Sequence, residues 1–331
     1  MLQTTGLGVK GSGVTGLEVR GLHVRYRVPA GLGRKPSYVD AVNGADLSVA
    51  AGSSLGVVGE SGCGKSSLAR AICGIGPITS GSVSVGGVEL TRRRDRAAAR
   101  RVQMVFQDPT SSLNPRRTIG SMLRELLTVH GLRTGAAVDR RAAELLELVG
   151  LPASALGDRP HAFSGGQRQR IGIARALALE PEVLMADEAV SALDVSTQAV
   201  VVDLLHTLRA ELGLSLVFIS HDLGVVRAVC DSVAVMYLGT IVEQGPTEML
   251  FESPRHPYTR ALLDAVPRID VVRPPGSARL SGEPPSPLDV PTGCPFHPRC
   301  PVAVARCRTE QPVPVEIDGQ TVSCHLWPHG S

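Results

Sequence analysis

One segment constrains this chain more than any other. Gly59-Glu60-Ser61-Gly62-Cys63-Gly64-Lys65-Ser66 matches the pattern G-x-x-x-x-G-K-[ST], with Ser67 next in line. A short apolar run, Ser54 to Val58, precedes it and reads as a buried strand; the stretch from about Lys65 to Cys73 reads as a helix. Strand, glycine-rich turn and helix N-terminus together make a cradle for phosphate. The glycines let backbone N–H groups wrap an anion, and the helix dipole adds partial positive charge. In such a loop Lys65 reaches the β- and γ-phosphates of a nucleoside triphosphate, and the Ser66 hydroxyl ligates Mg²⁺. Lys65 is one of three lysines, with Lys10 and Lys35, and the only one beyond the first 35 residues. A glycine-rich turn that binds nothing would need neither the lysine nor the serine.

Around this loop the chain alternates strand and helix signals. Apolar alternation at Leu17 (LEVRGLHVRYRV) and again from Val39 predicts a strand pair around a variable loop. Val102 to Phe106 is a further strand, after which residues 109–180 turn helical; DRRAAELLELVG spaces its apolar residues as a helix, and Gly150 and Pro152 stop it. Strands return at Val183 to Ala186, Leu216 to Ile219 and Val233 to Tyr237. This order predicts an α/β fold: a mostly parallel sheet carrying a helical subdomain. Beyond Pro267 the chain is dense in Pro, Gly and Ser and reads as a linker into a short cysteine-bearing tail with little helix or strand pattern. With 331 residues, the expected organisation is a flexible segment 1–16, a nucleotide-binding domain 17–266 and a C-terminal domain 267–331.

Composition narrows the classes. No apolar run approaches the roughly 20 residues of a membrane span, and residues 1–16 lack the pattern of a signal peptide. A net charge of +3, from 34 basic and 31 acidic residues, is no footprint of a nucleic-acid binder. The basic run Arg92-Arg93-Arg94-Asp95-Arg96 reads most simply as a solvated loop. The seven cysteines are expected as reduced thiols or metal ligands.

Two further segments complete a site. Val183 to Glu188 is an apolar strand ending in two carboxylates, with Asp187 placed to hold Mg²⁺ through water and Glu188 to polarise an attacking water. Phe163-Ser164-Gly165-Gly166-Gln167 precedes the Arg-rich helix RQRIGIARALAL and by itself reads as a Ser-capped helix start. Ser-Gly-Gly-Gln before that helix, with Asp-Glu ending a strand shortly after, resembles the signature of ABC-type ATPases. Gln107 in VFQDP resembles that family's Q-loop, Ser191-Ala192-Leu193-Asp194 its D-loop, and His221 in FISHD its switch histidine.

The resemblance implies an ABC-type ATPase domain with a RecA-like parallel core, an antiparallel β-subdomain and a helical subdomain. Two such domains would pair head to tail, each ATP lying between one phosphate loop and the other domain's signature. Ser164, Gly165, Gly166, Gln167 and Asp194 would then serve the partner's site; Gln107 would sense Mg²⁺ and water, and His221 would steady the γ-phosphate and Glu188. Tyr26, read as lying after the first strand, is the expected adenine-stacking residue, with Tyr38 as its rival. Where the family carries Pro-Thr or a similar pair after the glutamate, this chain has Ala189-Val190, which predicts a looser turn and slower turnover.

FQDPTSSLNPRRTIG, ESPRHPYTRALLDAVP and GCPFHPRCP closely resemble the ATPase subunits of oligopeptide, dipeptide and nickel importers. That resemblance implies two transmembrane permease subunits, a second nucleotide-binding subunit (identical or paralogous), an external solute-binding protein acting indirectly, and a peripheral place on the cytoplasmic face of the membrane. A soluble ABC ATPase acting on DNA or ribosomes is the alternative, though long heptad insertions and a second nucleotide domain are missing. Cys294, Cys300, Cys307 and Cys324 are spaced C-x5-C-x6-C-x16-C. Zinc would fit four thiolates but favours closer pairs; buried thiols without metal are the bland reading. The similar importer subunits carry a [4Fe–4S] cluster on this set, and the resemblance implies one here.

Overall fold

The computed structural model describes residues 15–28, 37–91, 94–108, 112–265 and 282–327. Most of the N-terminal segment, the loop 29–36, Arg92 and Arg93 of the basic run, residues 109–111 and the Pro-rich stretch to 281 lie outside the described residues.

Two long strands come first, β1 (Thr15–Val28) and β2 (Ser37–Ala50). In β1 the buried phase passes from Leu17 and Val19 to Leu22 and Val24, a slip of one residue. Gly21 takes it up at φ 50, a left-handed conformation glycine adopts freely, and its N–H donates to Asp46 Oδ1 at 2.7 Å. Next come β3 (Ser54–Val58), α1 (Lys65–Cys73), β4 (Ser80–Val85), β5 (Val88–Glu89), α2 (Arg96–Arg101) and β6 (Val102–Val105). The helical stretch holds α3 (Ile119–Val129), α4 (Ala136–Leu148) and α5 (Gly165–Leu177). The alternation then resumes with β7 (Val183–Asp187), α6 (Val195–Leu212), β8 (Ser215–Ile219), α7 (Leu223–Val229), β9 (Ser232–Tyr237), β10 (Thr240–Pro246), α8 (Thr247–Glu252) and α9 (Pro257–Ala265). A hairpin, β11 (Val315–Ile317) and β12 (Gln320–Val322), closes the chain.

Every residue of β3, β7 and β8 is buried, which marks strands covered on both faces. Burying each Val, Leu or Ile there is worth roughly 1.5–3 kcal/mol. Helix ends follow local chemistry. Asp95, Thr118, Ser164, Asp194 and Asp222 cap N-termini through their side chains, and Gly74 and Gly213 end α1 and α6 in the left-handed conformation.

The chain forms two compact units. One comprises Met1–Glu18, Ser48–Ser54 and Val83–Phe218. In it β6 and β7 pair in parallel, Val102 opposite Val183 and Val105 opposite Ala186, β8 lies on the other side of β7, and α2 to α6 belong to the same unit. The other comprises Val19–Leu47, Leu55–Ser82 and Ile219–Ser331. There β3 pairs in parallel with β9, and β9, β10, β12 and β11 continue as antiparallel neighbours; β1 and β2 pair in a second sheet. The α/β expectation holds, with parallel strands, an antiparallel β-region and a helical stretch.

The tail departs from its sequence reading. Its strands are three residues long, too short for an alternation signal, yet β12 pairs with β10, Glu243 opposite Val322. Asp318 and Gly319, at φ 50 and 77, form the turn. Asp-Gly is a hairpin signal the sequence does carry.

Candidate functional site

The phosphate loop belongs to the second unit. β3 delivers the chain to Gly59, whose φ is 151; Gly62 and Gly64 follow at 77 and 112. A Cβ at Gly59 would collide with the Met236 carbonyl oxygen, and one at Gly64 with that of Ala41, so both positions exclude any side chain. Gly64 caps α1 in the left-handed conformation and supplies no side-chain cap hydrogen bond of its own. Lys65 is buried, and its Nζ donates to Gly59 O at 2.8 Å and Glu60 O at 2.9 Å, with Cys63 Sγ at 3.7 Å. Burial holds the Cys63 thiol above its ordinary pKa, against the pull of Lys65. Ser66 and Ser67 are half-buried in the first turn of α1; Ser61 is exposed.

His221 is exposed, two residues beyond β8, and Asp222 after it caps α7 by accepting from Gly224 N at 2.9 Å and Val225 N at 3.2 Å. Tyr26 lies inside β1, which runs on to Val28, and not after the strand as the sequence suggested. It is half-buried, whereas Tyr38 at the start of β2 is 54% exposed.

The first unit carries the carboxylates and the signature. Asp187 ends β7 and is buried. Glu188 stands at φ 47, a conformation that costs a residue with a Cβ about 1–3 kcal/mol. The following turn forms without a proline. Ala189 and Val190 are buried, and Ser191 donates from N and Oγ to Glu188 O, at 3.1 and 3.0 Å. Gln107 Nε2 donates to Glu188 Oε2 at 2.9 Å and lies 3.4 Å from Ser191 Oγ. Two groups some eighty residues apart in sequence, read separately as a Mg²⁺-sensing amide and a water-polarising base, are thus in direct contact.

Ser164 and Gln167 form a capping box: Gln167 N donates to Ser164 Oγ at 3.3 Å, and Ser164 N donates to Gln167 Oε1 at 2.9 Å. A Cβ on Gly166 would collide with Thr197 Cγ2, so α5 and α6 approach there as only glycine allows; Gly165 has more room. Asp194 accepts from Ser196 Oγ at 2.6 Å and from Thr197 N and Oγ1 at 3.0 and 2.8 Å. These bonds hold its carboxyl well below the usual carboxylate range.

Cys294, Cys307 and Cys324 are buried and Cys300 is half-buried. Burial pushes the Cys294 thiol up to about 11, and the other three cysteines add to the shift; burial raises Cys300 and Cys324 as well. Each of the four interacts electrostatically with the other three. All four thiols thus lie within electrostatic reach of one another. Among the described residues, however, no group of three or more His, Cys, Asp or Glu side chains is arranged to hold a metal ion, so the thiols do not form a ready-made cluster site.

One contact escaped sequence reasoning. Arg299 in the tail donates to both carboxylate oxygens of Glu60, at 2.7 and 2.9 Å, across 239 residues of sequence. No local pattern encodes such a pair.

Comparison with known proteins adds two family matches. Residues 42–191 match the family described as ABC transporter, and residues 242–307 match "Oligopeptide/dipeptide transporter, C-terminal region". The di/tripeptide transport ATP-binding protein DppF of Pseudomonas aeruginosa is 48% identical over 305 residues, 91% of this chain and 94% of its own. The oligopeptide transport ATP-binding protein OppF of Escherichia coli is 48% identical over 295 residues, covering 87% of this chain and 88% of its own. Among solved structures, a dimeric ATP-binding cassette in a post-hydrolysis state with ADP and Pi, MJ0796, superposes with a TM-score of 0.60 at 27% identity, covering 70% of this chain and 98% of its own.

Proposed function

Because this chain belongs to the ABC transporter family of ATP-binding subunits, we propose that it energises import of di- or oligopeptides through a membrane complex. The chain is an ATPase; what it drives is the proposal. The observation that carries it is the match of residues 242–307 to an oligopeptide/dipeptide transporter C-terminal region, on the same chain as the phosphate loop. An ATPase acting on DNA or ribosomes has no use for that region.

The roles follow from the residues. Lys65 and the N–H groups of residues 59–67 hold the phosphates, and Tyr26 stacks on the adenine. Ser66 would hold Mg²⁺ directly, with Gln107 and, through water, Asp187, and the bound ion would offset charge developing on the γ-phosphate. Glu188 accepts the proton of the attacking water, and Gln107, already bonded to Glu188, orients both. His221 steadies the γ-phosphate. Ser164 to Gln167 and Asp194 face the ATP of a second nucleotide-binding subunit. The ATP-binding domain, 17–266, meets two permease subunits on the cytoplasmic face of the membrane, and residues 267–331 form a C-terminal domain of the peptide-importer type. Among the described residues no helix is long and apolar enough to cross a membrane, so the permeases would supply the spans.

The [4Fe–4S] cluster is part of the proposal, supported by the resemblance to importer subunits and by the mutual electrostatic reach of the four thiols, not by an assembled site. No chemical step of ATP hydrolysis is routed through it.

Anaerobic purification of the intact complex tests the whole reading. Mass spectrometry should identify two permeases and a second nucleotide-binding chain, and analysis should find about four irons and four sulfides per chain. A complex with nucleic-acid or ribosomal proteins and no permease would overturn the import reading. Four free thiols or stoichiometric zinc would overturn the cluster alone.

A further inference from the structure

Glu60, the second residue of the phosphate loop, is gripped from the tail. The Arg299 side chain is 5% exposed; its two terminal nitrogens donate to the two Glu60 carboxylate oxygens at 2.7 and 2.9 Å. The guanidinium also lies 3.4 Å from Tyr237 Oη and 5.9 Å from the centre of that ring. Glu60 N donates to Tyr258 Oη at 2.9 Å, so the residue is held by backbone and side chain alike.

Arg299 is itself set by a tight turn. His297 N donates to Cys294 O and Arg299 N to Phe296 O, each at 3.0 Å. Phe296 is buried against Tyr237 and Tyr258, 5.3 Å from each ring centre. Lys65 Nζ, meanwhile, donates to the Glu60 carbonyl. One residue therefore links the phosphate-binding lysine to an arginine between two of the tail cysteines.

A carboxylate in this loop opposes its purpose. Unpaired, it would repel a triphosphate and compete for the Lys65 ammonium. A partly buried carboxylate without a partner is also costly in its own right. The bidentate fork of Arg299 cancels the charge and fixes its direction.

We propose that Arg299 is a positioning residue for nucleotide binding: by pairing with Glu60 it keeps the phosphate loop open to an anionic triphosphate and couples the Cys294–Cys300 segment to ATP affinity. The proposal rests on the reading of the loop as an ATP site.

Calorimetric titration of the full chain with Mg-ATP tests it, using wild type, Arg299→Gln, Glu60→Gln and the double variant, with thermal melts of each nucleotide-free protein. Arg299→Gln should bind ATP about tenfold more weakly, within the usual range of coupling between sites. Glu60→Gln leaves the Arg299 charge unopposed and should bind ATP more tightly than wild type, and the double variant should recover most of the loss because no carboxylate remains to neutralise. Wild-type affinity in Arg299→Gln, or a double variant as weak as the single one, overturns the proposal. If melting shows that Arg299→Gln does not fold, the Glu60→Gln background decides. There the double variant carries neither charge and should bind ATP as wild type does, and an affinity about tenfold below wild type would refute the charge argument. Lys65→Ala is the control on the premise. If it binds ATP as tightly as wild type, the ATP reading has failed and the proposal with it; if it does not bind, the Arg299 results stand on their own.

Discussion

At Glu188 the backbone turns left-handed and the carboxylate accepts a hydrogen bond from Gln107. A strained residue, held by a buried turn and aimed at a second polar group, has the form of a preorganised base. Glu188→Gln should therefore keep ATP binding and lose turnover by roughly 10²–10⁴-fold. Phosphate release from the assembled complex measures this, and near wild-type release would remove Glu188 from the role. At this scale the sequence was informative wherever residue type and local pattern suffice: Gly59 and Gly64 occupy conformations no other residue tolerates, and Ser164 does begin a helix as a cap. It could not reveal Arg299, whose partner lies in a distant segment, nor that Gly166 is required by Thr197.

Among elements, the link from β10 to α9 carries the clearest electrostatic consequence. Glu243 in β10 accepts from Arg255 N at 2.6 Å and His256 N at 3.0 Å, and His256 Nδ1 accepts from Tyr258 N at 3.0 Å. His256 is fully buried beside Phe296, and burial pushes its pKa down to about 3. Its folded pKa lies below the unfolded value of about 6.5, so the unfolded chain binds the proton first as pH falls. Stability from this group is complete above about pH 6.5 and declines below it, toward the folded pKa. Between pH 7 and 5.5 wild type should lose about 1 kcal/mol more than His256→Asn in urea unfolding. Burial raises the pKa of Glu243, which remains in both proteins and cancels in the comparison. Equal pH sensitivity would contradict the assignment. The strands β3, β7 and β8 were legible as continuous apolar runs of strand length, and α1 as the helix that follows a glycine-rich turn. The β11–β12 hairpin was not, since three-residue strands gain their stability from pairing with β10 rather than from a pattern of their own.

For the molecule as a whole, the two units interleave along the chain, and the motifs divide between them. The phosphate loop, His221 and the cysteine tail belong to one; Gln107, Asp187, Glu188 and the signature belong to the other. The order and spacing of its motifs resemble those of ABC-type ATPases closely enough to make the ATPase legible in the sequence, whereas the partners and the transported solute are not written in this chain's own chemistry. The central claim is that ATP hydrolysis here is harnessed to peptide import. The most direct measurement is phosphate release by the chain assembled with its permeases in lipid vesicles, with and without peptide-loaded binding protein. Release should rise when the loaded binding protein is added, accompany peptide accumulation in the compartment on the ATPase side, and vanish with both in Glu188→Gln. Hydrolysis indifferent to permeases and peptide, or peptide accumulation that persists in Glu188→Gln, would contradict it.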